Sequence, residues 1–118
     1  MTQNVTRWDG CEVVRITHVE GQPLSQHALV RVLSEGETML MVEVTMPAGE
    51  SSPSHVHDHE SVGYVVRGRV SMTVGNDTTD LGPGDAFLHP IGLAHSLTAI
   101  GTEAVWLEIK SPPTRTWE

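Results

Sequence analysis

The stretch Gly49-Glu-Ser-Ser-Pro-Ser-His55-Val56-His57-Asp-His-Glu-Ser61 decides the reading of this chain, together with a later one, Gly84-Asp-Ala-Phe-Leu-His-Pro90-Ile-Gly92-Leu-Ala-His95. Residues i and i+2 of an extended strand project from the same face. His55 and His57 can therefore offer two imidazoles to adjacent corners of one coordination sphere. An isolated His-x-His pair is a weak signal, and two exposed histidines would read the same way. What surrounds the pair gives it meaning.

Outward from these stretches the sequence is β throughout. Turn residues recur as punctuation at Gly36, Pro47-Ala48-Gly49, Gly68, Gly75-Asn76, Gly82-Pro83-Gly84, Pro90, Gly92 and Gly101. Between them lie short segments rich in Val, Thr, Leu and Ile, the pattern of a sandwich or barrel. Strands are predicted near 11–17, 28–34, 38–46, 54–57, 61–67, 69–74, 77–81, 86–89, 94–99 and 103–110. Segment 38–46 alternates, with Leu40, Val42, Val44 and Met46 on one face. Segment 105–110 sets Val105, Leu107 and Ile109 against Trp106, Glu108 and Lys110. No window carries a helical period. Ser111-Pro112-Pro113 cannot continue a central strand and is expected to leave the barrel.

The spacing resembles the cupin superfamily. Its first motif runs Gly, five residues, His-x-His, three or four residues, Glu or Gln, six residues, Gly. Its second runs Gly, five residues, Pro-x-Gly, two residues, His, three residues, Asn. Here the first spans 49–68 and the second 84–99, with 15 residues, Arg69 to Pro83, between them. The resemblance implies an all-β, single-domain double-stranded β-helix, a jelly-roll barrel over residues 1–118. It also implies one divalent transition metal (Zn, Ni, Fe, Mn or Cu) held by His55, His57 and His95. Two positions depart from the pattern. Ala99 replaces the closing Asn, and Ser61 replaces the carboxylate or amide ligand. Either a bulge at Asp58-His59 turns Glu60 inward as a ligand, or three histidines bind with water completing the shell.

The segments YVVRGRVSMTVG, LGPGDAFLHP and EIKSPPTR resemble the small cupins of the pectin-degradation type. In that group the last strand lines the pocket, with an Asp in proton transfer three residues before the Ser-Pro-Pro exit and an aromatic residue one before it. Those positions are Glu108 and Lys110, which makes both candidate catalytic residues. Arg115 stands one residue later than the arginine of that group. The resemblance implies a metalloenzyme for a small carboxylate or sugar acid, working by isomerisation or lyase-type proton transfer. A three-histidine iron oxygenase and a non-catalytic small-molecule-binding cupin are the alternatives.

The remaining expectations are plainer. His59 adjoins a turn and is expected in solvent. His89 lines the pocket or an interface, His18 and His27 are surface residues, and Trp117 packs. Seven Lys and Arg against fifteen Asp and Glu give a net charge of −8, which repels nucleic acid and anionic membrane alike. Cys11 alone cannot form an intramolecular disulfide. With no signal segment and no long apolar run, a cytoplasmic protein is expected. A homodimer is expected from the habits of small cupins.

Overall fold

Alternating apolar residues need a second layer to bury against, and this chain supplies it by folding one sheet over another. The computed structural model describes residues 4–54, 56 and 58–118. Among the described residues nine strands follow a short 3-10 turn at Trp8–Gly10: β1 Glu12–Val19, β2 Gln22–Glu35, β3 Leu40–Met46, β4 Glu60–Arg67, β5 Val70–Val74, β6 Asp77–Leu81, β7 Ala86–His89, β8 His95–Ala99 and β9 Ala104–Ser111. They form a six-stranded sheet in the order β1-β2-β3-β9-β4-β7 and a three-stranded sheet in the order β6-β5-β8. Every pairing is antiparallel. This is the all-β jelly roll expected from the sequence. Among the described residues no helix is long and apolar enough to cross a membrane.

The core sits between the sheets. Leu40, Val42, Val44 and Met46 of β3 all face inward, as their alternation predicts, and they meet Val70, Leu97 and Ala99 of the smaller sheet in one cluster. Their outward neighbours Met41, Glu43 and Thr45 are half-buried. Gly68, with φ of 81°, turns the chain from β4 into β5. A Cβ there would stand 2.4 Å from the Glu103 carbonyl oxygen, so no other residue fits without moving the neighbouring strand.

Two elements differ from the sequence reading. The segment 54–57 was expected as a strand; its described residues, Ser54 and Val56, are not in one. Strand β2 begins at Gln22, six residues before the expected start. There Val19 pairs with Gln22 across a two-residue turn in which Glu20 and Gly21 both take positive φ. Pairing of β2 with β3 begins only at Leu29. The first part of β2 is thus a two-stranded ribbon with β1, and it needs no apolar alternation to exist.

The loop from β3 toward the His-x-His segment is anchored by Glu50, which is 3% exposed. Its carboxylate accepts hydrogen bonds from Ser25 Oγ at 2.6 Å and from the backbone N–H groups of Gln26 at 2.6 Å, Ser51 at 3.2 Å and Ser25 at 3.3 Å. The same stretch runs beside β8. Gly49 N donates to Ala99 O, Ala99 N to Glu50 O, and Ser52 N to Leu97 O. Ala99, where the motif has Asn, is thus held through its backbone. Burial raises the Glu50 pKa, but the hydrogen bonds outweigh it and hold the carboxyl below its ordinary value.

A group whose pKa is depressed by folding stabilises the fold above its unfolded value, and that stability is lost as pH falls through the folded value. Glu50→Ala is expected to cost about 2–3 kcal/mol near neutral pH, the scale of hydrogen bonds to a charged group. Denaturant titrations should show the gap between wild type and variant closing below the ordinary carboxylate range. A gap that stays constant down to that range would mean that the charge contributes nothing.

Candidate functional site

Strand β9 lies between β3 and β4, hydrogen-bonded on both edges. Its pleat turns Trp106, Glu108 and Lys110 to the interior, with exposures of 2%, 8% and 5%. A charged pair is costly to bury unless each member finds partners. Trp106 Nε1 donates to Glu108 Oε1 at 3.1 Å, and Lys110 Nζ donates to Thr116 Oγ1 at 2.9 Å. Both charged residues line one cavity with an empty volume of about 520 Å³, counting the part that opens to solvent. Its apolar wall comes from strands β1 to β3 and from Trp117; His89 and His95 bring imidazoles to it.

The C-terminal tail closes one side of this cavity. The chain leaves β9 at Ser111, as expected, and then folds back. Glu20 N donates to Thr116 O at 3.0 Å. Arg115 pairs with Glu35 at 3.0 Å and Glu12 at 3.3 Å, and Trp117 packs at 7% exposure. Arg115 is thereby committed to the two hairpin carboxylates.

The three described histidines of the interior come from three elements. His95 opens β8 behind the Pro90-Ile91-Gly92 turn and is 3% exposed. Its Nδ1 lies 3.3 Å from the Leu93 carbonyl. A carbonyl only accepts, so Nδ1 carries the proton and Nε2 has the lone pair, the form in which imidazole binds metal. His89, from β7, stacks on His95 with ring centroids 3.8 Å apart, and Ser61 Oγ lies 3.4 Å from His89 Nδ1. His59, expected in solvent, is instead 1% exposed. It shares the inward parity of Ser61, Gly63 and Val65, an alternation that starts one residue before the strand does. Burial lowers its pKa, and Lys110 lowers it further against the pull of Glu108, Asp58 and Glu20. His18 and His27 are exposed, as expected.

Glu60 does not join them. It is exposed on the outer face of β4, and the pairing with β9 runs without a shift from Glu60 to Val65. No bulge resets the strand, so the residue that faces inward is Ser61 and the carboxylate points away. His55 and His57 lie outside the described residues. Among the described residues no three His, Cys, Asp or Glu side chains form a group able to hold a metal. The donor chemistry of His95 nevertheless fits a metal.

The electrostatics of β9 are asymmetric. Burial raises the Glu108 pKa, but Lys110, His89, the Trp106 hydrogen bond and His95 together bring it below the ordinary value. These groups favour the ionised form of Glu108. Burial lowers the Lys110 pKa, and Glu108 and Glu20 only partly restore it. The cavity thus presents an anionic base and a weakly solvated amine on one strand face.

Residues 42–110 match the family model Cupin_2, described as a cupin domain. An uncharacterized protein of Streptomyces coelicolor, SCO3923, is 34% identical over 68 residues, 58% of this chain and 65% of that protein, so the match spans less than two thirds of its length. The structure of KdgF from a Halomonas species has a TM-score of 0.70 at 26% identity, covering 75% of this chain and 82% of that one. An RmlC-like cupin from Shewanella frigidimarina has a TM-score of 0.81 at 21% identity, covering 94% and 92%.

Gly63 fixes the packing under the histidines. It pairs with Phe87, and a Cβ on it would lie 2.0 Å from Phe87 Cζ. The Phe87 ring in turn lies 4.7 Å from His89. Gly63→Ala is expected to push that ring toward His89, at the cost of about 1–3 kcal/mol usual for overpacking. Denaturation together with imidazole NMR would show it; unchanged stability with unmoved His89 and His95 signals would refute this packing account.

Proposed function

This chain belongs to the cupin-domain family matched over residues 42–110, and from that premise we propose that it is a small metalloenzyme. Its substrate is a small carboxylate or sugar acid, and its reaction is an isomerisation or lyase-type proton transfer. The observation that carries the reading is the convergence of His95, Glu108 and Lys110 on one cavity. The resemblance of the segments YVVRGRVSMTVG, LGPGDAFLHP and EIKSPPTR to the small cupins of the pectin-degradation type supports a sugar-acid substrate.

In this reading His55, His57 and His95 hold one divalent transition metal. When bound, the ion supplies positive charge that polarises a substrate oxygen. Glu108 takes or returns a proton at the carbon beside that oxygen. Trp106 fixes the carboxylate through Oε1, so the base is oriented before substrate arrives. Burial keeps bulk water from the carboxylate, and Lys110 keeps it ionised. The apolar wall suits the carbon skeleton, and the amine suits an acidic or carbonyl group. Ser61 is no substitute for a carboxylate ligand, so water or substrate completes the coordination shell. A homodimer is part of this proposal, with sedimentation equilibrium as its measure.

His95→Ala is expected to lose stoichiometric metal, read by elemental analysis of the purified protein; full metal content in that variant would end the assignment. Glu108→Gln is expected to keep the metal while turnover falls by about 10²-fold or more, the scale of a general acid–base group. Equal turnover in wild type and variant would remove Glu108 as the base.

A further inference from the structure

The seven Lys and Arg residues of this chain are six arginines, at positions 7, 15, 31, 67, 69 and 115, and a single lysine, Lys110. Lysine ordinarily lies on protein surfaces. Here the only one is 5% exposed and lines the cavity. Its nitrogen bonds Thr116 Oγ1 and lies 5.5 Å from the centre of the Trp117 ring. Among the described residues no carboxylate reaches ion-pair distance, 4.0 Å, of that nitrogen. An arginine would serve better if the task were only to hold a carboxylate, because its planar fork binds one bidentately. What lysine has and arginine lacks is an amine that loses its proton and attacks carbon.

We propose that Lys110 is a nucleophile whose amine forms an imine with the ketone or aldehyde carbon of a carbonyl acid held in the cavity. The proposal rests on the cavity being the substrate site and does not need the metal. The neutral amine adds to the carbonyl carbon and gives a carbinolamine. That intermediate takes up one proton and loses its hydroxyl as water, leaving an iminium. The iminium draws electrons from the adjacent carbon, where Glu108, two residues away on the same strand face, accepts a proton. Glu108 returns its proton to carbon, and water then adds to the iminium carbon, releasing the carbonyl product, the amine and the proton taken up at dehydration. Burial in an apolar pocket is a known way to activate a lysine amine. The charged or titratable groups around Lys110 are Glu108 on its own strand, Glu20 in the β1–β2 turn and His59 ahead of β4.

The test is reductive trapping on the full chain with pyruvate and cyanoborohydride, followed by intact mass and peptide mapping. With one lysine present, an adduct belongs either to Lys110 or to the N-terminal amine, and mapping separates the two. Labelling of Lys110 in the native protein is expected to be faster than in the same chain unfolded in guanidinium, because burial in an apolar pocket favours the neutral amine. Lys110→Arg should abolish the adduct. Native labelling no faster than unfolded, or confined to the N-terminus, overturns the proposal. Chelator-treated protein should label equally well, so failure of the metal reading appears in metal content and failure of this one in the mass.

Discussion

The pleat of β9 is the constraint on which the rest of this structure depends. Hydrogen-bonded to β3 on one edge and β4 on the other, the strand has no freedom to slip. A shift of one residue would bring Leu107 and Ile109 inward and send Glu108 and Lys110 to the surface. Two charged side chains are thus carried into an apolar interior by the register of their neighbours. The cost of burying them is met locally, by the Trp106 indole for one and the Thr116 hydroxyl for the other. Around that strand the two sheets arrange everything else. β4 brings Ser61 opposite Lys110, β7 brings His89 opposite Ser61, and the smaller sheet brings His95 against His89.

Much of this was legible in the sequence, for physical reasons. Leu40 to Met46 alternates because β3 is central, with one face on the core. Glycine and proline mark the turns because Gly68 and its counterparts take conformations or close approaches that other residues do not tolerate. The inward parity of Trp106, Glu108 and Lys110 follows from the same alternation. The early start of β2 was not legible, since residues 22–27 pair with β1 alone and only Leu24 among them packs on the core, too little to leave an apolar period. Of the two alternatives open for Glu60, the structure takes the outward one, and His59, expected in solvent, is buried. The adjoining turn suggested a solvated histidine, and Ser61 at the ligand position left a bulge at Asp58-His59 open as one alternative. In the structure the inward parity runs unbroken from His59 through Ser61 to Val65. That continuity depends on where β4 meets β9, which lies fifty residues on in the chain and is invisible to local reading.

Glu50 illustrates a different kind of dependence. It is the second residue of the first motif, and nothing in the motif's spacing assigns it a role. Its carboxylate joins the β3 exit to the β2 backbone, while its carbonyl meets β8. The segment that carries the His-x-His pair is therefore held at its start from two sides before it reaches the first histidine. A strong anchor of this kind lets the intervening residues vary in sequence without losing the path of the chain.

The tail has a consequence of another sort. Residues after Ser111 belong to neither sheet, yet Thr116 and Trp117 form part of the cavity wall, and Arg115 pins them to the carboxylates of the first hairpin. These residues take no part in the strand pairings of either sheet, although Trp117 packs in the core and Thr116 holds the amine of Lys110. Selectivity for what enters the cavity is in this sense modular. A few codons beyond the last strand can reshape the chamber, and the setting of the Lys110 amine with it, while the paired strands of the scaffold are inherited intact.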